Sequence, residues 1–235
     1  IQKGEVTKDK CKIGYVGAFP YAEVISGFTS FYLGVKSVCD SATMEVKYTN
    51  SWASFDLEKE CAEQLIADGC VLISQHADTT GAPTACEAKK VPCVGYNIDM
   101  IPTAPDAALT SATINWGPYY TYAVQSVIEG TAIDTDWSKG VKDGADAITE
   151  LNDKTVAKGT KEKVEEAQKG IEDGTIHVFD TSKFTVGGKT LEELVESGDE
   201  DATKLQSYIK DGYFHESDVA GGMTSAPVSY THLRA

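Results

Sequence analysis

Residues 12–130 predict an α/β fold built on a doubly wound parallel sheet, and two observations carry that reading. The run Cys70-Val71-Leu72-Ile73 is apolar, too short for a helix and without alternation, as expected of a strand covered on both faces. The second observation is order: strand-like and helix-like segments succeed one another as β-α-β-α-β-α-β-β-α, with typical lengths. Right-handed crossovers leave few other topologies for that order.

The first strand, 12–17, runs into a Gly17-Ala18-Phe19-Pro20 turn. A helix over 22–37 follows, with Val24, Phe28, Phe31 and Val35 forming an apolar stripe. Residues 44–49 alternate as a strand. The loop after it leads to a helix capped by Ser54 or Asp56, with Leu57, Cys61 and Leu65 on one face and a glycine stop at Gly69. The strand 70–73 then breaks into eight small or polar residues, 74–81. A short helix over 83–88, a strand over 91–95 and a strand over 108–114 come next. A helix over 119–129 closes at Gly130.

In open parallel sheets, ligands bind outside the C-terminal ends of the strands. Each such end here carries aromatic or polar groups: Phe19 and Tyr21, Trp52 and Phe55, His76 and Asp78, Tyr96 and Asp99, Asn115 and Trp116. Gln75, Thr80 and Gly81 belong to the same polar loop as His76. Rings offer stacking faces and the amides and carboxylates offer directional hydrogen bonds, which suits a planar, hydroxylated small molecule. Each aromatic taken singly is equally well a core residue; recurrence at one end of successive strands favours a site.

Catalysis finds little support. Ser74, His76 and Asp78 alternate along a strand end about 6–7 Å apart, beyond hydrogen-bond reach of one another. No G-x-S-x-G elbow, H-E-x-x-H or Walker loop occurs, and Gly14 and Gly17 lack the spacing of a dinucleotide fingerprint. No cofactor is expected, and the chain is read as a binding protein rather than an enzyme. With 36 acidic against 21 basic residues and no Lys/Arg cluster, nucleic acid is not an expected partner. No apolar run approaches the length of a membrane span. Six cysteines are scattered without a C-x-x-C pair, which argues against a metal cluster; packed thiols are the leading reading and disulfides the alternative.

After Gly130 the character changes. Residues 136–149 read as a short strand or ribbon, 160–173 as a charged helix with a thin apolar stripe, 175–180 as a strand, 184–190 as a hairpin-like turn, and 191–197 as a helix capped by Thr190. Residues 131–218 are expected to complete a second lobe whose other strands are absent. The segment 219–235 follows no period and is read as a truncated or spurious terminus.

The runs GYVGAFPYAEVISGFTSFYLGV, SWASFDLEKECAEQLIADGCVLISQHADTTGAPTACEAKKVPCVGYNIDM and LTSATINWG resemble the basic membrane protein family, in order along the chain. Its members are extracytoplasmic substrate-binding lipoproteins of ABC transporters, related to purine nucleoside receptors. The resemblance implies a type I periplasmic-binding-protein fold, with two α/β lobes and ligand in the cleft between them. It implies a nucleoside-like ligand, ABC permease subunits as partners, and a lipid anchor on a bacterial cell surface, the anchor lying outside this chain. An N-terminally truncated member is the expectation. By position, Asp99 matches the family's G-x-x-x-D aspartate, which binds ribose hydroxyls; residues 75–81 match the loop beside the ligand, and Phe19 the first aromatic loop. One departure stands out. Nucleoside-binding relatives carry a lysine after the fifth strand's T-S, where this chain reads Thr113-Ile114-Asn115-Trp116. A different small solute, or a surface receptor on the same scaffold, is the alternative.

Overall fold

A computed structural model describes residues 6–135, 137–183, 185, 188–207, 209–210 and 213–214. Strands β1 (Lys12–Gly17), β2 (Thr43–Tyr48), β3 (Leu72–His76), β4 (Cys93–Tyr96), β5 (Ala108–Ile114) and β6 (Asp146–Ile148) form one sheet, ordered β2-β1-β3-β4-β5-β6. The first five are parallel; β6 adds antiparallel to β5. The chain reverses its winding between β1 and β3, which is the switch point where a doubly wound sheet opens a crevice.

Helix α1 (Ala22–Val38) covers one face, where Tyr15, Val24, Ile25 and Phe28 form one buried cluster. Helices α2 (Phe55–Ala67) and α3 (Gly81–Lys89) cover the other, around Val16, Leu65, Ile73, Ala85 and Cys86. Successive β1 side chains therefore serve opposite faces, as strand geometry requires. Each fully buried Leu or Ile there contributes about 1.5–3 kcal/mol. The type I binding-protein class expected from sequence matches this arrangement.

Three local expectations need correction. On α2 the buried positions are Glu58, Ala62 and Leu65, while Leu57 is 42% exposed. The reason is a carboxylate put to structural use, described below. Strand β3 starts two residues later than its apolar run and continues through Ser74, Gln75 and His76, because those polar side chains are buried in place. Finally, 175–180 forms no strand. The Ile176 N–H donates to Gly170 O at 2.9 Å and so closes helix α5 (Thr160–Glu172) instead of joining a ladder.

Beyond β6 lie α5, α6 (Leu191–Glu196), α7 (Glu200–Ser207) and a two-stranded pairing of β7 (Ile209–Lys210) with β8 (Tyr213–Phe214). Helix α6 opens on a capping box: Thr190 Oγ1 accepts from Glu193 N, and Glu193 Oε2 accepts from Thr190 N. Phe179 packs with Ile13, Tyr32 and Leu33, so this segment touches the 12–130 sheet at that point as well as through β6. His215 and residues 215–235 lie outside the described residues.

Helix α4 (Gly117–Glu129) differs from the others. Tyr120, Val124, Val127 and Ile128 are 59–73% exposed. Its described ring contacts are to Trp116 and Trp137 and among its own tyrosines.

Candidate ligand-binding site

A cavity of about 350 Å³ lies at the C-terminal edge of the sheet, lined by Glu23, Trp52, His76, Asp78, Tyr96, Asn97, Ile114 and Trp116. Each parallel strand contributes through the segment that follows it or its own last residues. The volume is at the low end of the range for small-molecule sites.

At its floor the His76 ring sits 4.3 Å from the Tyr96 ring and 6.2 Å from Trp52. His76 is 6% exposed, and its backbone carbonyl accepts from Ala18 N at 3.0 Å, which locks the strand end. The imidazole Nε2 has Glu23 Oε1 at 3.4 Å and makes no hydrogen bond among the described residues. A buried polar atom left in this way is rare and calls for a partner. Glu23 occupies the first turn of α1, where the helix amide ends favour a carboxylate.

Asn97 is the second notable group. It adopts φ +68°, in the left-handed region, and is held there by its backbone: its N–H donates to Ala112 O at 2.6 Å and its carbonyl accepts from Thr113 Oγ1 at 2.8 Å. Asparagine tolerates that conformation better than most residues. The turn leaves its amide side chain on the cavity wall.

Of the twelve residues singled out by sequence, the cavity brings together Trp52, His76, Asp78, Tyr96 and Trp116. The other seven stand outside its lining, and most have structural partners. Phe19 stacks on Tyr21 at 5.0 Å and contacts Trp52 at 5.5 Å, backing the wall. Gln75 is 2% exposed and donates through Nε2 to Ala77 O and Thr79 O, so it shapes its own loop. Thr80 accepts at its carbonyl from Thr84 N and Oγ1. Gly81 packs so tightly on α2 that a Cβ there would lie 2.2 Å from Phe55 O. Phe55 begins α2 and is 43% exposed. Asn115 donates through Nδ2 to Gly144 O and accepts at Oδ1 from Gly117 N. Asp99 is exposed, and its Oδ1 accepts from Ile101 N at 2.9 Å.

Glu23, Asn97 and Ile114 were not anticipated. The signal for Glu23 was a carboxylate in the first turn after β1; for Asn97 it was an asparagine just past a strand end, two residues before Asp99.

The loop 76–81 is braced from behind by Glu58. One carboxylate oxygen accepts from Ser54 N at 3.4 Å and the other from Thr79 N at 3.2 Å, joining the start of α2 to the strand end. Burial pushes the Glu58 carboxyl above its ordinary value, and the Thr79 and Ser54 hydrogen bonds pull the other way.

The cavity lining carries two carboxylates and no lysine or arginine. Coulomb repulsion in such a setting disfavours phosphate and carboxylate ligands and favours donors such as hydroxyls, ring N–H groups and amines. His/Cys/Asp/Glu clusters able to hold a metal are absent among the described residues. Nor is any described helix long and apolar enough to cross a membrane.

Known proteins place this geometry in context. A purine-binding protein of Brucella abortus (strain 2308) is 32% identical over 166 residues, covering 71% of this chain and 47% of that protein. A protein of Haloferax volcanii, whose name describes an ABC transporter glucose-binding protein, is 31% identical over 182 residues, covering 77% and 46%. The chain thus spans about half the length of the curated relatives it matches. An ABC transporter solute-binding protein of Aeropyrum pernix K1 has the same fold, with a TM-score of 0.57 at 18% identity, covering 83% of this chain and 67% of that one. ABC substrate-binding proteins of this kind are extracytoplasmic and are not enzymes. Residues 5–180 match the family model described as ABC transporter substrate-binding protein PnrA-like, and the chain belongs to that Bmp family.

Proposed function

We propose that the intact protein is the extracytoplasmic solute-binding component of an ABC importer, and that the cavity above β1 and β3 takes a nucleoside or a similar small hydroxylated ring compound. The orphaned His76 Nε2, buried in the wall beside Glu23, carries this reading. It offers one directional hydrogen bond that a bound molecule can complete beside the 3.4 Å approach of Glu23 Oε1. Trp52, Tyr96 and Trp116 supply faces for a ring, and Glu23, Asp78 and Asn97 supply acceptors for hydroxyls and ring N–H groups. A purine-binding relative and a glucose-binding one fit the two halves of such a ligand. Permease subunits are the expected partners.

In this reading residues 12–130 form the ligand-binding lobe, and the apolar face of α4 is covered by the part of the protein that the longer relatives possess and this chain does not. Exposure of Val127 and Ile128 at 70% and 73% supports that assignment. Calorimetry of the full-length protein against nucleosides, free purines, hexoses and nucleoside 5′-monophosphates tests it. An uncharged member should bind, and its phosphorylated form at least about tenfold more weakly, since like-charge juxtaposition costs more than the ~1.4 kcal/mol this requires. Equal or tighter binding of the phosphates, or no binding by any member, overturns the reading.

A further inference from the structure

All six cysteines are free thiols, and two of them meet at the opposite edge of the sheet from the cavity. Cys11 immediately precedes β1 and Cys39 immediately follows α1. The ladder brings both to one place. Lys12 is paired with Thr43, the Thr43 N–H donates to Cys11 O at 3.0 Å, and the Ala42 N–H donates to Cys39 O at 3.0 Å. Cys39 Sγ approaches Lys8 O at 3.9 Å, in the turn that ends on Cys11, and each thiol shifts the ionisation of the other. Cys39 is 2% exposed, whereas Cys11 is partly open to solvent. Ser41 Oγ lies 3.5 Å from Cys39 Sγ and donates to Lys8 O at 2.5 Å, closing the far side of the pair.

Cys86 and Cys93 share one buried cluster, but they are 0% and 2% exposed inside the α2–α3 core. No reagent reaches them without opening the fold. Cys11 and Cys39 therefore combine proximity with access, and the extracytoplasmic setting proposed above, on which this inference rests, is one in which thiols oxidise.

We propose that Cys11 and Cys39 form a disulfide by exchange with a small or protein disulfide, tying the start of β1 to the end of α1. In the first step the Cys11 thiolate attacks one sulfur of the partner R–S–S–R, giving Cys11–S–S–R and releasing R–S⁻. In the second, the Cys39 thiolate attacks the Cys11 sulfur, giving Cys11–S–S–Cys39 and releasing the other R–S⁻. Two protein thiols are oxidised, one partner disulfide is reduced, and the two thiol protons pass to solvent. Burial, and then the neighbouring Cys39 thiol, pushes the Cys11 thiol up to about 11, which makes the first step the slow one. The Ser41 hydroxyl, with help from Cys11, holds the Cys39 thiol below its ordinary value, as suits the resolving thiolate. The bond closes the segment 12–38 and restrains the unfolded chain, so the oxidised protein should melt higher by about 5–10 °C.

The test is to incubate the folded full chain with oxidised glutathione at alkaline pH, alkylate the remaining thiols, and map peptides by mass spectrometry. A linked Cys11–Cys39 peptide is expected, with Cys86 and Cys93 alkylated only after denaturation. In Cys39→Ser the reaction should stop at a glutathione adduct on Cys11. Recovery of Cys11 and Cys39 as free thiols or as two separate adducts in the wild-type chain overturns the proposal, and so does linkage of either to a different cysteine. An oxidised chain that melts no higher than the reduced one overturns the structural tie.

Discussion

On the β3–α3 flank of the cavity, polar groups other than His76 Nε2 are largely bound to protein. Gln75 reaches Ala77 O and Thr79 O, Glu58 receives Ser54 N and Thr79 N, and the Asp78 N–H donates to Trp52 O at 2.8 Å. On the β5–α4 flank, Trp116 is 51% exposed and the apolar residues of α4 stand in solvent. Both flanks lie at strand C-termini, and both looked alike in composition. The difference teaches that position on the sheet edge does not by itself make a ligand group. What matters is whether the hydrogen-bonding capacity at that position is already spent, as in Gln75, or still open, as in His76 Nε2.

The sharpest way to break this contrast is at the tightest point of the built flank. Gly81→Ala places a Cβ against Phe55 O and Lys59 N, backbone atoms that do not yield as a side-chain tip would. It should cost about 3 kcal/mol, read from the denaturant midpoint at unchanged slope. A cost under about 1 kcal/mol would mean that α2 and α3 slide apart easily and the flank is not rigid.

Glu58→Ala comes next. It strips the acceptor from Ser54 N and Thr79 N and should cost about 2 kcal/mol. Glu58→Gln keeps an acceptor and isolates the charge. Because burial holds the folded carboxyl above its ordinary value of 4.5, the group takes up a proton on folding between those two values. Its contribution is most favourable below the ordinary value and falls as pH rises through the raised one. Wild-type stability should therefore lose ground relative to Glu58→Gln across that window in pH-dependent unfolding. A difference that grows in the opposite direction would show the carboxylate to be net stabilised by its two amides.

On the open flank the same kind of substitution should do little. Val127→Ser with Ile128→Ser should change the stability of this 235-residue chain by no more than about 0.5 kcal/mol, as for other exposed positions. The full-length protein should be destabilised more than that by the pair, if its remaining half covers α4. Equal, small effects in both would leave that face without a partner. The smallest effect expected is at Asp99, whose carboxylate caps Ile101 N outside the cavity lining. Asp99→Asn should alter ligand affinity by less than about threefold, below ~0.7 kcal/mol. A tenfold loss in titration would restore Asp99 to the ligand shell and move the site towards the family pattern.

The sheet was legible from sequence because its strands are short apolar or alternating runs, and because α2 and α4 close at Gly69 and Gly130. The 12–17 strand and the 108–114 strand coincide with β1 and β5. What periodicity misread was local hydrogen-bond demand. Glu58 is buried against expectation because two loop amides need a carboxylate, and the 175–180 strand is lost because Ile176 N closes α5. Among the residues that line the cavity, Trp52, His76, Tyr96 and Trp116 were anticipated because rings at strand ends are conspicuous. Glu23 and Asn97 were missed because one looked like a helix-start charge and the other depends on a left-handed backbone turn that no side-chain pattern announces.

The tryptophans allow the most direct test of the cavity as the solute site. Two of the three, Trp52 and Trp116, line it; Trp137 lies against Tyr119 and Tyr122 instead. Ligand titration of the full-length protein, followed by tryptophan emission in Trp52→Phe, Trp116→Phe and Trp137→Phe, separates the two environments. The response should shrink when Trp52 or Trp116 is removed and persist when Trp137 is removed. A response that vanishes only in Trp137→Phe would contradict the assignment and put the ligand elsewhere.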